Sequence, residues 1–252
     1  MAGHSKWANI KHRKARVDAQ KGKIFTKLSK ELMVAAREGG GDIDTNFRLR
    51  LAVQKAREEN IPNDNISRAI KKGLGELGGM KLEEFTYEGY GPSGAALILD
   101  IVTDNRNRTA GEIRNILSRQ GGNLGEAGCV AWMFKRQGYI EVEKNGTAMD
   151  EDEVMLMALD AGAEDFRVEE NTFEVITIPE EMEKVKESLV DQGIEVKLSE
   201  ITMVPQSVVE ISGQEDAARI IKLMETLEDH DDVQNVYANF EIPEELMVSL
   251  ET

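Results

Sequence analysis

The sequence predicts an α+β protein: an N-terminal helical bundle followed by two ferredoxin-like α/β-sandwich domains, the second inserted into the first. Apolar residues recur at helical spacing as far as Lys72. From Glu84 onward, short alternating apolar runs are interleaved with helical patterns of similar length. The composition, 40% apolar and 31% charged over 252 residues, is that of a globular chain with room for two or three cores.

Residues 1–30 are strongly basic in an acidic chain. They hold nine Lys or Arg against one acid, Asp18, although the net charge of the chain is -16. Residues 1–72 carry 17 basic and 8 acidic side chains, and the remaining 180 residues carry 14 and 39. Because Lys and Arg set against phosphates release condensed counterions, this end is predicted to bind nucleic acid, with the acidic remainder turned away. A solvated basic terminus without a partner is the alternative.

Four helices are predicted in this basic part. Residues 5–20 form a helix that is basic all round, so we expect it to be mobile when free and to order on its partner. Residues 23–37 form a two-faced helix, with apolar residues on one side and a basic stripe offered to anions on the other. The stripe consists of Lys23, Lys27, Lys30 and Arg37. A third helix, capped by Asp44, runs to about Asn60, and a fourth covers Asp64 to Lys72.

The stretch Gly73–Gly78 matches the GxGxxG dinucleotide-binding pattern. That pattern requires a strand before it and a helix start after it, whereas here a helix precedes it and Gly79 follows. We therefore interpret it as the end of a helix and a linker.

The rest of the chain is predicted to alternate strands and helices, in three groups. The first group is strand 84–90, turn 91–94, strand 95–103, helix 107–120 and strand 129–135. A complete β-α-β-β-α-β set follows: strand 139–143, helix 150–161, strands 165–169 and 172–178, helix 179–192 and strand 194–201. The last group is strand 207–212, helix 214–228 and strand 233–240.

The incomplete last group needs partners, and pairing it with residues 95–135 supplies them. This pairing predicts three domains. They are a basic helical domain at 1–78, a discontinuous ferredoxin-like middle domain at 79–136 plus 206–252, and an inserted ferredoxin-like domain at 137–205.

Motifs for catalysis and metal binding are absent from the sequence. No Ser, Cys or Lys lies in an activating motif, and the chain has three His, no CxxC pair and no HExxH. We predict no enzyme activity, no cofactor, no metal and no small-molecule substrate, with Cys129 as a core residue. The sequence shows no signal peptide and no run of about eighteen apolar residues, so a cytoplasmic protein without membrane contact is expected.

A second candidate anion site lies at Thr103–Thr109, where Arg106 and Arg108 stand at a predicted helix start. Guanidinium groups beside free backbone N–H groups suit an anion. The alternative is a turn in which Asn and Asp cap the helix and both arginines are solvated.

Several stretches together resemble the YebC/PmpR family, whose relatives include the mitochondrial translational activator of cytochrome oxidase. They are MAGHSKWANIKHRKARVDAQKGKIFTKLSKEL at the start, NIPNDNISRAIKKG at 60–73, YEGYGPSG at 87–94, TDNRNRTAGEIR at 103–114 and GGNLGEAGCVAWMF at 121–134. Ser93 stands where a second Gly is frequent, and Cys129 where Ser is. The resemblance implies a helical N-terminal domain, a ferredoxin-like middle domain and a third domain inserted into it.

The resemblance also implies a regulator, either a DNA-binding transcriptional regulator or a ribosome-associated factor that helps translation of proline-rich stretches. DNA and ribosomal RNA are thus the alternative partners. An enzyme that uses a cleft between domains and an acidic adaptor for a basic protein are two further hypotheses. The predicted nucleic-acid contacts are Lys6, Trp7, Lys11, His12, Arg13, Lys14, Arg16, Lys21, Lys23, Lys27, Lys30, Arg106 and Arg108.

Overall fold

The computed structural model describes residues 19–78, 81–144, 150–169, 171–243 and 245–247, with side chains from Gly22 onward. The chain divides into two compact units, one at 133–208 and one formed by the residues on either side of it. Among the described residues, no helix is both long enough and apolar enough to cross a bilayer.

The described helices and strands alternate as an α+β chain. The helices are α1 (Ala19–Gly39), α2 (Phe47–Glu58), α3 (Asn63–Gly73), α4 (Arg106–Arg119), α5 (Glu151–Ala161), α6 (Met182–Asp191) and α7 (Gln214–Glu228). The strands are β1 (Glu83–Tyr90), β2 (Ala96–Thr103), β3 (Asn123–Leu124), β4 (Phe134–Glu143), β5 (Asp165–Val168), β6 (Thr172–Thr177), β7 (Val196–Pro205), β8 (Val209–Glu210), β9 (Val233–Ala238) and β10 (Phe240–Glu241).

Helices α1, α2 and α3 pack around one apolar core, as the periodicity predicts. The core contains Leu28, Leu32, Leu49, Val53, Ile61 and Ile66. The start of α2 differs from the prediction: Asn46, not Asp44, is the cap, and its side chain accepts a hydrogen bond from the Leu49 N–H. Asn46 also donates to the carbonyl oxygens of Ala35 and Gly40, so its buried amide ties α2 to the end of α1.

The larger unit contains an antiparallel sheet in the order β3-β1-β2-β9. Helices α4 and α7 cover one face of it, where Leu97, Leu99, Ile113, Leu117 and Ile220 are fully buried. On the other face, Val34 of α1 packs with Leu82 and Val102. The three-helix region and the sheet therefore share a small apolar contact within this unit.

The smaller unit has the element order β-α-β-β-α-β that the sequence pattern predicts. Its sheet has the order β5-β6-β4-β7, with β4 paired antiparallel to both β6 and β7. Helices α5 and α6 bury Val154, Ala158, Val185 and Leu189 against this sheet.

The predicted strand at 129–135 is wrong. Strand β4 starts at Phe134 and runs unbroken to Glu143, and the fourth place in the larger sheet belongs to β3. The physical reason is Glu88, whose carboxylate accepts hydrogen bonds from the N–H groups of Gly128, Val130 and Ala131 at 2.6–2.8 Å. These donors are unavailable to a strand ladder, so the chain forms a loop, and Cys129 is half-buried instead of lying in the core.

Candidate nucleic-acid interface

The basic stripe of α1 faces the rest of its own unit. Lys23 lies 3.2 Å from the carboxylate of Asp229, Lys27 donates to the carbonyl oxygen of Glu228, and Arg37 donates to that of Leu82. The stripe is therefore not the open anion-binding face that its spacing indicates. Its cations satisfy carbonyl and carboxylate oxygens at the loop after α7 and at the start of β1.

Lys30, the central residue of the stripe, is the most enclosed. Its Nζ lies 2.6 Å from Oδ1 of Asp232 and also donates to the carbonyl oxygens of Val102 and Asp231 at 3.2 and 2.8 Å. Only 11% of the Lys30 side chain is exposed. With three oxygen acceptors in place, the ammonium group has its full set of three donors in use and none left for a phosphate.

Asp232 is the acceptor on which several donors converge. Its Oδ2 accepts from Arg108 and Thr109 at 2.7 Å and from Thr103 at 3.1 Å, while Oδ1 accepts from Lys30. Burial alone would raise the pKa of this carboxyl. The hydrogen bonds from Lys30, Arg108 and Thr109 outweigh burial and hold the pKa well below its usual range.

Both arginines of the second candidate site have partners. Arg108 contacts Asp104 and Asp232, and the guanidinium of Arg106 lies 4.5 Å from the centre of the Phe85 ring. Asn105 caps α4 by accepting from the Arg108 N–H. The capped turn is thus formed. Arg108 is ion-paired as well as partly exposed, because Asp232, the residue before β9, lies beside this turn.

A second set of ion pairs centres on Arg48 of α2. Its guanidinium reaches the carboxylates of Glu31, Glu38 and Glu84 at 2.6–2.8 Å. The hydrogen bond to Glu84 contributes most to raising the pKa of Arg48. Since Glu84 belongs to β1, Arg48 joins the helical region to the sheet.

Helices α2 and α3 carry exposed cations that the sequence analysis did not single out. Six exposed cations there have no ion-pair partner within the described part of the chain, and they are Arg50, Lys55, Arg57, Arg68, Lys71 and Lys72. The spacing of Arg50, Gln54 and Arg57, at intervals of four and three, was the available signal. It was hidden because apolar residues of this helix spread over more than one face.

An aromatic ring accompanies these cations. Phe47 is 43% exposed at the start of α2, and the guanidinium of Arg50 lies 5.5 Å from its ring centre. Beside it, a hollow of about 300 Å³ is lined by Ile43, Arg50, Val53, Gln54, Arg57 and Glu58. This face combines an apolar surface, guanidinium groups and an amide.

The remaining predicted nucleic-acid contacts have no described side chains. Lys21 belongs to α1 but precedes the described side chains, and seven residues lie outside the described chain: Lys6, Trp7, Lys11, His12, Arg13, Lys14 and Arg16. The predicted helix at 5–20 and its ordering on a partner fall mostly outside it as well.

The glycine stretch after α3 is a helix end. Helix α3 runs to Gly73, Leu74 follows as its cap, and Gly75 adopts a φ of +81°. No strand precedes it within the described part of the helical region, which agrees with the interpretation of a linker. Burial raises the pKa of the Cys129 thiol, and Glu88 raises it further, which disfavours the reactive thiolate.

One group of potential metal ligands lies within the described residues. Ligand atoms of Glu112, His230 and Asp232 lie within 4.8 Å of one another. However, Asp232 already bonds to Lys30 and Arg108, so a divalent cation would be placed beside two fixed positive charges. The donor set fits an ion-pair network better than a metal site.

Comparisons with known proteins cover nearly the whole chain. Residues 5–76 match a family model described as the TACO1/YebC protein N-terminal domain, and residues 82–240 match one described as the TACO1/YebC second and third domain. A protein of Natranaerobius thermophilus is 58% identical over 248 residues, which is 98% of this chain and 99% of the relative. A protein of Pelotomaculum thermopropionicum is 58% identical over 242 residues, 96% of this chain and 99% of the relative. Both are named probable transcriptional regulatory proteins.

A solved structure is similar to the whole fold. The crystal structure of a conserved hypothetical protein from Aquifex aeolicus has a TM-score of 0.82 and 49% sequence identity. The match covers 95% of this chain and 98% of that one.

Proposed function

Because the chain belongs to the TACO1/YebC family, we propose that it is a non-enzymatic regulatory protein that binds nucleic acid through its basic N-terminal part. The observation that carries this proposal is the division of charge, 17 basic against 8 acidic residues up to Lys72 and 14 against 39 beyond it. The names of the relatives, probable transcriptional regulatory proteins, support DNA as the target and transcription as the regulated process.

The proposed phosphate contacts in the first thirty residues are Lys6, Lys11, Arg13, Lys14, Arg16 and Lys21, and Trp7 and His12 are proposed to stack on or contact bases. Arg50, Lys55 and Arg57 of α2 extend this set. Lys27 and Lys30 are assigned instead to internal contacts. Lys23 and Arg108 pair with Asp229 and Asp232 but remain partly exposed, and together with the exposed Arg106 they are proposed as auxiliary contacts.

The domain division proposed for this function is the one that the sequence predicts, with basic helical residues 1–78, a ferredoxin-like middle domain at 79–136 plus 206–252, and an inserted ferredoxin-like domain at 137–205. The acidic second and third domains are repelled by a phosphate backbone and keep the basic part turned towards it. We propose that the protein acts in the cytoplasm.

A second candidate is a ribosome-associated translation factor that binds ribosomal RNA. The exposed ring of Phe47 supports it, since RNA loops present unstacked bases to aromatic side chains. Both candidates require the same basic surface, and they differ in which nucleic acid it holds.

The proposal is tested by ultraviolet crosslinking in living cells, followed by pulldown and sequencing of bound DNA and RNA. Discrete promoter peaks that disappear on Lys11→Gln, Arg13→Gln and Lys14→Gln together are the expected result. The matched control is Arg114→Gln, Arg119→Gln and Lys222→Gln, three exposed cations of the acidic part, which should leave the peaks unchanged. Reads concentrated in ribosomal RNA would favour the second candidate. Enrichment of neither DNA nor RNA would contradict both candidate functions. The hypothesis of an acidic adaptor for a basic protein would then be the one left.

A further inference from the structure

The exposed face of α2 carries groups that recognise more than phosphate. Phe47, Arg50, Gln54 and Arg57 follow one another at intervals of three, four and three residues, so they share one side of the helix. Phe47 and Arg50 contact each other, and Arg50, Gln54 and Arg57 line the hollow of about 300 Å³. The apolar side of the hollow is formed by Ile43 and Val53.

Each group on this face matches a different part of a nucleotide. An exposed aromatic ring stacks on a base, and guanidinium groups bind phosphate oxygens at two points. Gln54 already donates its amide N–H to Glu58 at 3.0 Å, so its carbonyl oxygen is left to accept from the N–H edge of a base. Glu58 also lines the hollow, and its carboxylate repels phosphate, so the phosphates are placed on the guanidinium groups of Arg50 and Arg57.

Duplex nucleic acid does not satisfy this combination. In a duplex the base faces are stacked on their neighbours, and a phenyl ring reaches them only after a base is displaced. An unpaired nucleotide presents base face, base edge and phosphate together. Charge complementarity also favours a nucleic acid over an apolar peptide, since two guanidinium groups border the hollow.

We propose that the face of α2 formed by Phe47, Arg50, Gln54 and Arg57 binds an unpaired nucleotide of a single-stranded nucleic acid, with the base against Phe47 and the flanking phosphates on Arg50 and Arg57. This inference rests on the proposed function and narrows it. The protein then takes strands with unstacked bases, either RNA loops or melted DNA.

The test measures binding of the full chain to labelled oligonucleotides of about 12 residues by fluorescence anisotropy at one fixed salt concentration. The probes are a single-stranded RNA, a single-stranded DNA and a duplex of the same sequence. The variant Phe47→Leu keeps an apolar side chain but removes the aromatic face. We expect it to weaken single-strand binding about tenfold and to leave duplex binding unchanged.

The second part of the test neutralises the two arginines of the proposed site. Arg50→Gln with Arg57→Gln should weaken single-strand binding more than the control Arg114→Gln with Arg119→Gln, which removes the same charge from exposed positions of α4. Unchanged thermal unfolding of Phe47→Leu ensures that the fold is intact. Tighter binding of RNA than of single-stranded DNA would identify RNA loops as the source, and the reverse would identify melted DNA.

The failure of this inference is distinct from that of the proposed function. The unaltered chain could bind nucleic acid while Phe47→Leu weakens single-strand and duplex binding equally, or weakens neither. That result would refute the α2 site and leave the proposed regulatory function intact. If the unaltered chain binds none of the three probes, the proposed function fails with it.

Discussion

Lys30 of α1 and Asp232, the residue before β9, form an ion pair of 2.6 Å whose two side chains are only 11% and 5% exposed. The pair joins the helical region to the sheet of the same unit. Arg108 and Thr109 complete the coordination of the carboxylate from α4. Three parts of the larger unit, α1, α4 and the start of β9, thus meet at one carboxyl group.

Substitution of Lys30 by methionine should destabilise the protein strongly. Lys30→Met keeps the length of the side chain but leaves Asp232 enclosed with one cation fewer. Removal of one partner from a buried pair costs about 3–5 kcal/mol, so the free energy of unfolding should fall by an amount in that range. Urea unfolding followed by circular dichroism measures it.

Lys23→Met is the matched control for this prediction. It makes the same change on the same helix, but the Lys23–Asp229 pair is 42% and 60% exposed, so the expected loss is about 0–1 kcal/mol. Equal losses for the two variants would show that the Lys30 pair does not act as a buried one.

Asp232 should make stability depend on pH in the acidic range. Its pKa is held below that of an aspartate in the unfolded chain, so the unfolded chain takes up a proton first as the pH falls. The stabilisation is complete above the unfolded pKa of about 4 and is lost as the pH falls from there towards the folded pKa. Urea unfolding at a series of pH values should show a smaller acid-dependent loss in Asp232→Asn than in the unaltered chain.

The neighbouring variant Asp231→Asn controls for the removal of one negative charge, because the Asp231 side chain is exposed. It should keep the pH dependence of the unaltered chain. Coinciding pH profiles for Asp232→Asn and the unaltered chain would contradict the assignment.

Much of the fold could be predicted because its signals are local. Helix α7 begins and ends at the predicted residues 214 and 228, and the β-α-β-β-α-β order of the smaller unit follows from the periodicity of apolar residues. The failure at 129–135 has a long-range cause. Glu88, forty residues away, binds the backbone N–H groups of that loop, and no pattern within the loop encodes this contact.

The candidate interface was harder to predict because a lysine stripe looks the same whether its partner is a phosphate or a carboxylate. Lys23, Lys27 and Lys30 obey helical spacing, but their acceptors are distant in sequence: Val102 lies 72 residues from Lys30, and the acceptors at and after the end of α7 lie 201 or more residues away. On α2, by contrast, Arg50 and Arg57 remain exposed, whereas Arg48 of the same helix pairs with three glutamates. The sequence pattern does not separate these arginines, and only the structure shows which of them is paired.

Glu88 should control the order of the loop that carries Trp132, a side chain that is 71% exposed. Burial raises the pKa of Glu88, but the three backbone hydrogen bonds outweigh it and lower the pKa, so the group is a carboxylate at neutral pH. Glu88→Gln places an amide N–H group against backbone N–H donors. The expected loss of stability is about 1–3 kcal/mol.

Hydrogen exchange of the amides of Gly128, Val130 and Ala131 measures this directly and should be faster in Glu88→Gln. The control is Glu126→Gln, an exposed carboxylate in the same loop that should leave exchange unchanged. Unaltered exchange in Glu88→Gln would show that the loop is held by other contacts.

Gly73, the first glycine of the dinucleotide-like stretch, should be required for packing. A Cβ at this position would overlap the backbone carbonyl oxygen of Met33 in α1, and backbone atoms cannot move aside cheaply. Gly73→Ala should therefore lower the free energy of unfolding by about 1–3 kcal/mol through overpacking, although alanine favours helices.

Gly22→Ala is the matched control, because a Cβ there meets nothing within 4 Å. It should be neutral or stabilising by about 1 kcal/mol. Thermal unfolding of the two variants should shift the midpoint in opposite directions or leave Gly22→Ala unchanged. A stabilised Gly73→Ala would mean that α1 and α3 are farther apart than described, and the packing explanation of this glycine would fail.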